Sequence, residues 1–142
     1  MEKMKFHHIG IAAADLDETL QHLTRHLEVA KVSEPVYDKN QDGTLCMVTL
    51  KDGMNIELVS GEVVKGIVKK RRFLYHTCFL VKDLAQQVQN LIGEGYIQVT
   101  EAKEAVLFQN RKVCFLSGEL GMIELLEEEK KRAINRAVPT TR

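Results

Sequence analysis

Residues 6–23, F-H-H-I-G-I-A-A-A-D-L-D-E-T-L-Q-H-L, return at residues 74–91 as L-Y-H-T-C-F-L-V-K-D-L-A-Q-Q-V-Q-N-L. At a constant offset of 68, His8 falls on His76, Asp15 on Asp83, Leu16 on Leu84, Leu20 on Val88 and Leu23 on Leu91. The same offset lays T-L-C-M-V over K-V-C-F-L and Cys46 over Cys114. After a one-residue slip, G-M-N-I-E-L-V (53–59) meets G-M-I-E-L-L (121–126), with Glu57 opposite Glu124. The chain is an internal duplication. Each copy is too small to cover both faces of its own sheet, so two like modules have to pair around a shared core.

Both copies read in the same order. An alternating strand runs into an Asp (Asp15, Asp83) able to cap a helix. Leu16, Leu20, Leu23 and Leu27 mark the buried stripe of the first helix, and Leu84, Val88 and Leu91 that of the second, which runs to Gly93. Three strands follow, at about 30–37, 44–50 and 54–60, then at 96–108, 111–117 and 121–127. The fold class is α+β, and residues 1–142 form a single domain. Module one covers about 5–60, a basic connector 61–72, module two about 73–127, and a polar helix with a tail 128–142.

The chain of 142 residues balances 20 Lys and Arg against 20 Asp and Glu. Zero net charge argues against a nucleic-acid binder. No apolar run approaches a membrane span, and M-E-K-M-K-F lacks a signal-peptide core, so the expectation is a cytoplasmic protein without a membrane partner. Cys46, Cys78 and Cys114 lie in apolar strands with no C-x-x-C, which reads as three reduced, buried thiols.

Alternation along a strand sends His7 and His8 to opposite faces. The repeat selects His8 as the partner of His76. His8 shares its face with Phe6, Gly10 and Ala12, and His76 with Leu74, Cys78 and Leu80. Glu57 and Glu124 sit in otherwise apolar strands, where a carboxylate is costly to bury unless paired or bound to metal. Two His and two Glu at equivalent places make an N2O2 set for one divalent ion: zinc, cobalt, nickel, manganese or iron.

Other features read as structure. D-K-N-Q-D-G (38–43) matches the start of an EF-hand loop, but the closing position is Thr49 and no helices flank it, so a hairpin turn is expected. His22 and His26 are four apart on the first helix without further ligands nearby, as on a surface helix. K-K-R-R (69–72) reads as a solvated charge run, with phosphate recognition as the alternative.

Together H-H-I-G-I-A, G-M-N-I-E-L-V, L-Y-H-T-C-F-L-V-K-D-L and G-M-I-E-L-L resemble the vicinal oxygen chelate superfamily over about residues 5–127, closest to its methylmalonyl-CoA epimerase-like branch. The resemblance implies two βαβββ modules paired into a curved open-barrel sheet around a metal cavity, with His8, Glu57, His76 and Glu124 as ligands. It also implies a pocket strand at N-R-K-V-C-F-L, with Asn110, Arg111 and Cys78 near substrate, a homodimer, and a small-molecule thioester as ligand. The implied activity is epimerisation at the α-carbon of an acyl-CoA. Glu124 is then one base, with Glu57 the other carboxylate of the centre. Gln41 stands where the branch usually carries its second base, with Asp42 beside it. The alternatives are a glyoxalase I-like lactoylglutathione lyase and a drug-binding protein of the same fold without catalysis.

Overall fold

The computed structural model describes residues 2–129; most of the expected C-terminal helix and tail lies outside them. Module one contains β1 (Lys5–Ala12), α1 (Leu16–His26), β2 (Val29–Val32), β3 (Val36–Asp38), β4 (Gly43–Leu50) and β5 (Asn55–Ser60). A 3-10 turn (Glu62–Val64) and the short α2 (Lys65–Lys69) form the connector. Module two contains β6 (Leu74–Val81), α3 (Leu84–Gly93), β7 (Ile97–Gln98), β8 (Lys103–Ala105), a 3-10 turn (Val106–Phe108), β9 (Arg111–Gly118) and β10 (Gly121–Glu127).

The helices start where their caps dictate. The Asp15 carboxylate accepts the Glu18 backbone N–H at 3.0 Å, and Asp83 that of Gln86 at 3.1 Å. Such caps contribute about 1 kcal/mol each. Leu23 is buried against Cys46, Val48, Ile56 and Leu58, with Leu16 and Leu20 partly buried beside it. Leu27 is instead the exposed cap residue after α1. In module two Leu84, Val88 and Leu91 pack on Cys114, Leu116, Ile123 and Leu125. Each helix therefore covers one face of its own module, and Glu57 and Glu124 alternate onto the other face.

The modules join edge to edge. β1 pairs antiparallel with β6, and a single open, curved ten-stranded sheet runs β2-β4-β5-β1-β6-β10-β9-β7, with β3 on β4 and β8 on β9. The strands expected at 30–37 and 96–108 are each broken in two. At both breaks a side-chain hydroxyl replaces a backbone group of the ladder: Ser33 Oγ accepts the Met47 N–H at 2.8 Å, and Thr100 Oγ1 that of Phe115 at 3.0 Å. Pro35 removes a donor at the first break as well.

The segment resembling a calcium loop is a hairpin turn, with Asp38 opposite Gly43. The buried Asp38 carboxylate accepts from Asn40 N (2.9 Å), Gln41 Nε2 (3.0 Å) and, across the modules, Val106 N (3.2 Å). Asn40 Nδ2 also donates to the Glu104 carbonyl at 2.9 Å. The two modules are thus pinned together at their hairpins as well as along β1 and β6. No helix among the described residues is long and apolar enough to cross a membrane.

Candidate metal centre

The seam between β1 and β6 brings the four duplicated residues together. His8 lies opposite Cys78, and Cys78 opposite Glu124; Glu57 lies opposite Gly10, and Gly10 opposite His76. The ligands therefore stand diagonally in two cross-strand rows, with a small residue between the members of each row. Gly10 is required there: a Cβ at this position would fall 2.6 Å from both ring nitrogens of His76. The equivalent position in the second module is Cys78, because the His8 ring instead stacks on Phe108, with centroids 5.5 Å apart and planes 20° apart.

His76 Nε2 approaches Glu124 Oε1 at 3.2 Å and Glu57 Oε1 at 3.3 Å, while His8 Nε2 approaches them at 3.3 and 3.6 Å. One donor atom from each residue lies within 4.8 Å of all the others. These contacts lack hydrogen-bond geometry, and His8 Nε2, His76 Nε2 and Glu124 Oε1 are buried without any hydrogen-bond partner among the described residues. Orphaned polar atoms are rare in protein interiors. Converging ones with imidazole and carboxylate chemistry fit a divalent ion. His7, His8 and Cys78 form a second convergent group. There, burial and the neighbouring carboxylates push the Cys78 thiol well above its ordinary range, so it carries its proton and is a poor ligand.

The charges balance within the site. Burial opposes protonation of His76, but contact with Glu124 and Glu57 outweighs it and raises the imidazole to about 9. His8 is raised for the same reasons. Burial alone would raise Glu124, yet contact with His76 and His8 lowers it to about 2. Without metal the two carboxylates favour the protonated form of both histidines, and a divalent ion would take the place of those protons.

The pH dependence of the metal-free protein follows. Protonated His76 stabilises the fold fully below its ordinary 6.5, and this contribution is lost as pH rises through about 9. Ionised Glu124 stabilises it above its ordinary 4.5, and this is lost as pH falls toward about 2. Thermal stability of the metal-free protein is expected to peak between 4.5 and 6.5 and to fall on both sides. Melting curves from about pH 2 to about pH 9 check it, and a monotonic rise to pH 9 would contradict it.

A feature that alternation concealed lies beside the centre. The β1–β6 register skips His7 on one strand and Tyr75 on the other, two bulges at the same offset of 68. His7 is consequently not turned away from His8: their Nδ1 atoms are 2.8 Å apart. Burial, then the neighbouring His8 and Arg111 charges, lower the His7 imidazole. Burial and the fields of Glu124 and Glu57 push the Tyr75 phenol up to about 12.

Two cavities flank the seam, each entered by one bulge residue. The larger, about 550 Å³, is lined by His7, Lys31, Thr49, Asn55, Phe108 and Gln109 among others. The smaller, about 160 Å³, is lined by Tyr75, Gln41 and Phe115, whose two aromatic rings stack at 5.8 Å. Gln41 and Gln109 are again 68 apart. The four converging residues line neither cavity. Phe108 covers His8 on one side, and Phe115 meets the His76 ring edge on the other.

The other expected site residues are placed elsewhere. Cys78 is wholly buried, paired across the strands with His8 and Glu124, and lines neither cavity. Asn110 borders a separate surface depression with Asp38 and Glu104. Arg111 donates to the carbonyls of Phe108 (3.1 Å) and Glu127 (3.4 Å). Asp42 is exposed at the hairpin, accepts the Tyr37 hydroxyl at 2.8 Å and does not reach the centre. Gln41 does line a cavity, with its amide tied to Asp38. His22 and His26 belong to neither metal-competent group among the described residues. The K-K-R-R run is exposed, and all three cysteines are free and buried.

The family model described as Glyoxalase/Bleomycin resistance protein/Dioxygenase superfamily matches residues 7–115. Among solved structures, methylmalonyl-CoA epimerase from Mycobacterium tuberculosis superposes with a TM-score of 0.75 at 22% identity, covering 89% of each chain. A hypothetical protein from Bacillus halodurans C-125 gives 0.75 at 18% identity, over 92% of this chain and 99% of the other. A glyoxalase I mutant from Zea mays gives 0.61 at 14% identity, over 92% of this chain and 47% of that one. At these identities the structural similarities establish a shared fold. A comparison with curated protein sequences finds no match.

Proposed function

The chain belongs to the glyoxalase/bleomycin resistance protein/dioxygenase superfamily, and from that membership we propose that it is a divalent-metal-dependent isomerase acting at the α-carbon of an acyl-CoA or similar thioester. The observation that carries this reading is the buried quartet of His8, Glu57, His76 and Glu124, its donor atoms converging within 4.8 Å. A divalent ion held there would supply Lewis acidity to a substrate carbonyl, worth several kcal/mol toward loss of the adjacent proton. The protein's own part is positional. His8 and His76 hold the centre from the two central strands, and Gly10 gives the His76 ring its place. Glu124, on loosening from the ion, would take the proton as general base. Phe108 stands between the larger cavity and His8, so substrate entry on this reading displaces its ring.

One observation favours a second reading. Closed ligand sets characterise structural metal sites, whereas catalytic ones keep an open position. Here the ligands are sealed from both cavities, and Gln41, which cannot act as a base, faces the smaller one. A protein that binds a small molecule in the larger cavity without chemistry fits those facts.

Cobalt-loaded protein incubated with an α-branched acyl-CoA in D2O separates the two. Deuterium at the α-carbon, with inversion of configuration and loss of both in His8→Ala, is the expected result. Conversion of a glutathione hemithioacetal in place of exchange moves the activity to the lyase. Stoichiometric metal with saturable binding but no turnover of either substrate establishes the non-catalytic protein.

A further inference from the structure

We propose that His7 is a positioning residue that locks His8 in its metal-ligating tautomer and, by the same constraint, presents an Nε2–H donor to an oxygen acceptor of an anionic ligand in the larger cavity. The inference rests on the quartet being a divalent-metal centre; it does not require the epimerase chemistry.

The steps are hydrogen counting. His8 Nε2 points at Glu57 and Glu124, and a ligating nitrogen carries a lone pair there. A neutral imidazole has one N–H, so that of His8 is on Nδ1. Its neighbour at 2.8 Å is His7 Nδ1, which must therefore be the acceptor. The single N–H of a neutral His7 then sits on Nε2, at the opposite edge of the ring.

Three features of the fold support this. The bulge that drops His7 from the β1–β6 register is what brings the two rings to one side of the strand. Phe108 braces both rings, edge-on to His7 at 5.7 Å and stacked on His8 at 5.5 Å. The duplication supplies an internal contrast: the residue matching His7 is Tyr75, and His76 Nδ1 is buried with no hydrogen-bond partner among the described residues. His8 alone of the two histidine ligands has an outer partner. Half-buried His7 lines the cavity with Lys31, Thr49, Asn55 and Gln109. Its donor joins a lysine ammonium and side-chain amides, a set suited to a carboxylate or other oxygen-bearing anion.

The test is long-range proton–nitrogen NMR on zinc-loaded protein labelled with ¹⁵N-histidine, with chelator competition on two variants. The expected spectrum shows His8 protonated at Nδ1 and His7 protonated only at Nε2, and added malonate shifts the His7 Nε2 signal. In His7→Leu the zinc dissociation constant rises about 10- to 100-fold. In His7→Gln, whose amide oxygen can accept from His8 and whose NH2 can face the cavity, most of that loss is restored. His7 protonated at Nδ1, or zinc held equally tightly by His7→Leu, overturns the positioning role. An unmoved Nε2 signal with malonate overturns the cavity role. Failure of the unaltered protein to bind zinc defeats the metal-centre reading itself, an outcome separate from all of these.

Discussion

Glu124→Gln is expected to purify with only traces of divalent metal where the unaltered protein carries close to one equivalent. Glu124 Oε1 is the one atom within 3.3 Å of both histidine Nε2 atoms, so it stands at the focus of the quartet. Glutamine keeps the shape of the side chain but replaces an anionic ligand with a neutral amide, a weak donor to hard or borderline cations. Loss of an outer partner of a metal ligand costs about 10- to 100-fold in affinity. Removal of a ligand is expected to cost more than about 100-fold. The variant also breaks the charge balance of the metal-free site, leaving one carboxylate against two histidines, so His76 should fall from its raised value toward ordinary behaviour. Elemental analysis and chelator competition measure the first effect. Full retention of metal by the variant would show that the ion, if bound, is held somewhere else.

Gly10→Ala is expected to damage the centre nearly as much without touching a ligand. The added methyl group would sit 2.6 Å from His76 Nδ1 and Nε2, closer than atoms approach, and the His76 ring is hemmed in by the rings of His8, Tyr75 and Phe115. His76 has to tilt, which takes its Nε2 away from Glu57 and Glu124. Overpacking of this kind costs about 1–3 kcal/mol, which lowers Tm by several degrees in a domain of this size. The distinguishing sign is that metal affinity falls together with stability. A variant that melts earlier but binds metal with unchanged affinity would mean that the His76 ring has another place to go.

The duplication made the quartet legible because it compares like with like. His8 and His76, or Glu57 and Glu124, look ordinary in isolation, but strand alternation holds wherever pairing is regular and puts all four on one face. The helices were legible for a similar reason: Asp15 and Asp83 cap them and the leucine stripes face the sheet. Alternation failed at His7, because a bulge adds one residue to a strand and resets which side the next one takes. The matching position, Tyr75, bulges too, but Tyr and His share no chemistry that would draw attention to the pair. Ser33 and Thr100 broke the expected long strands through single hydroxyl groups, a local choice invisible to periodicity. The family resemblance put Arg111 near substrate; its guanidinium serves the carbonyls of Phe108 and Glu127, with its charge felt at His7. Asp42 resembled a displaced base in the linear order, yet its backbone, at φ 56°, turns outward with the hairpin.

The unequal cavities have a stereochemical consequence. A ligand bound on a two-fold axis meets the same surroundings in two poses related by a half-turn, and such a site cannot distinguish one pose from the other. The stacked Tyr75 and Phe115 rings fill one of the two equivalent spaces, leaving about 160 Å³ against about 550 Å³ on the other side. The half-turn pose is thereby denied to any molecule larger than the smaller space. Duplication supplied a symmetric grip, and two aromatic side chains give it a sense of direction.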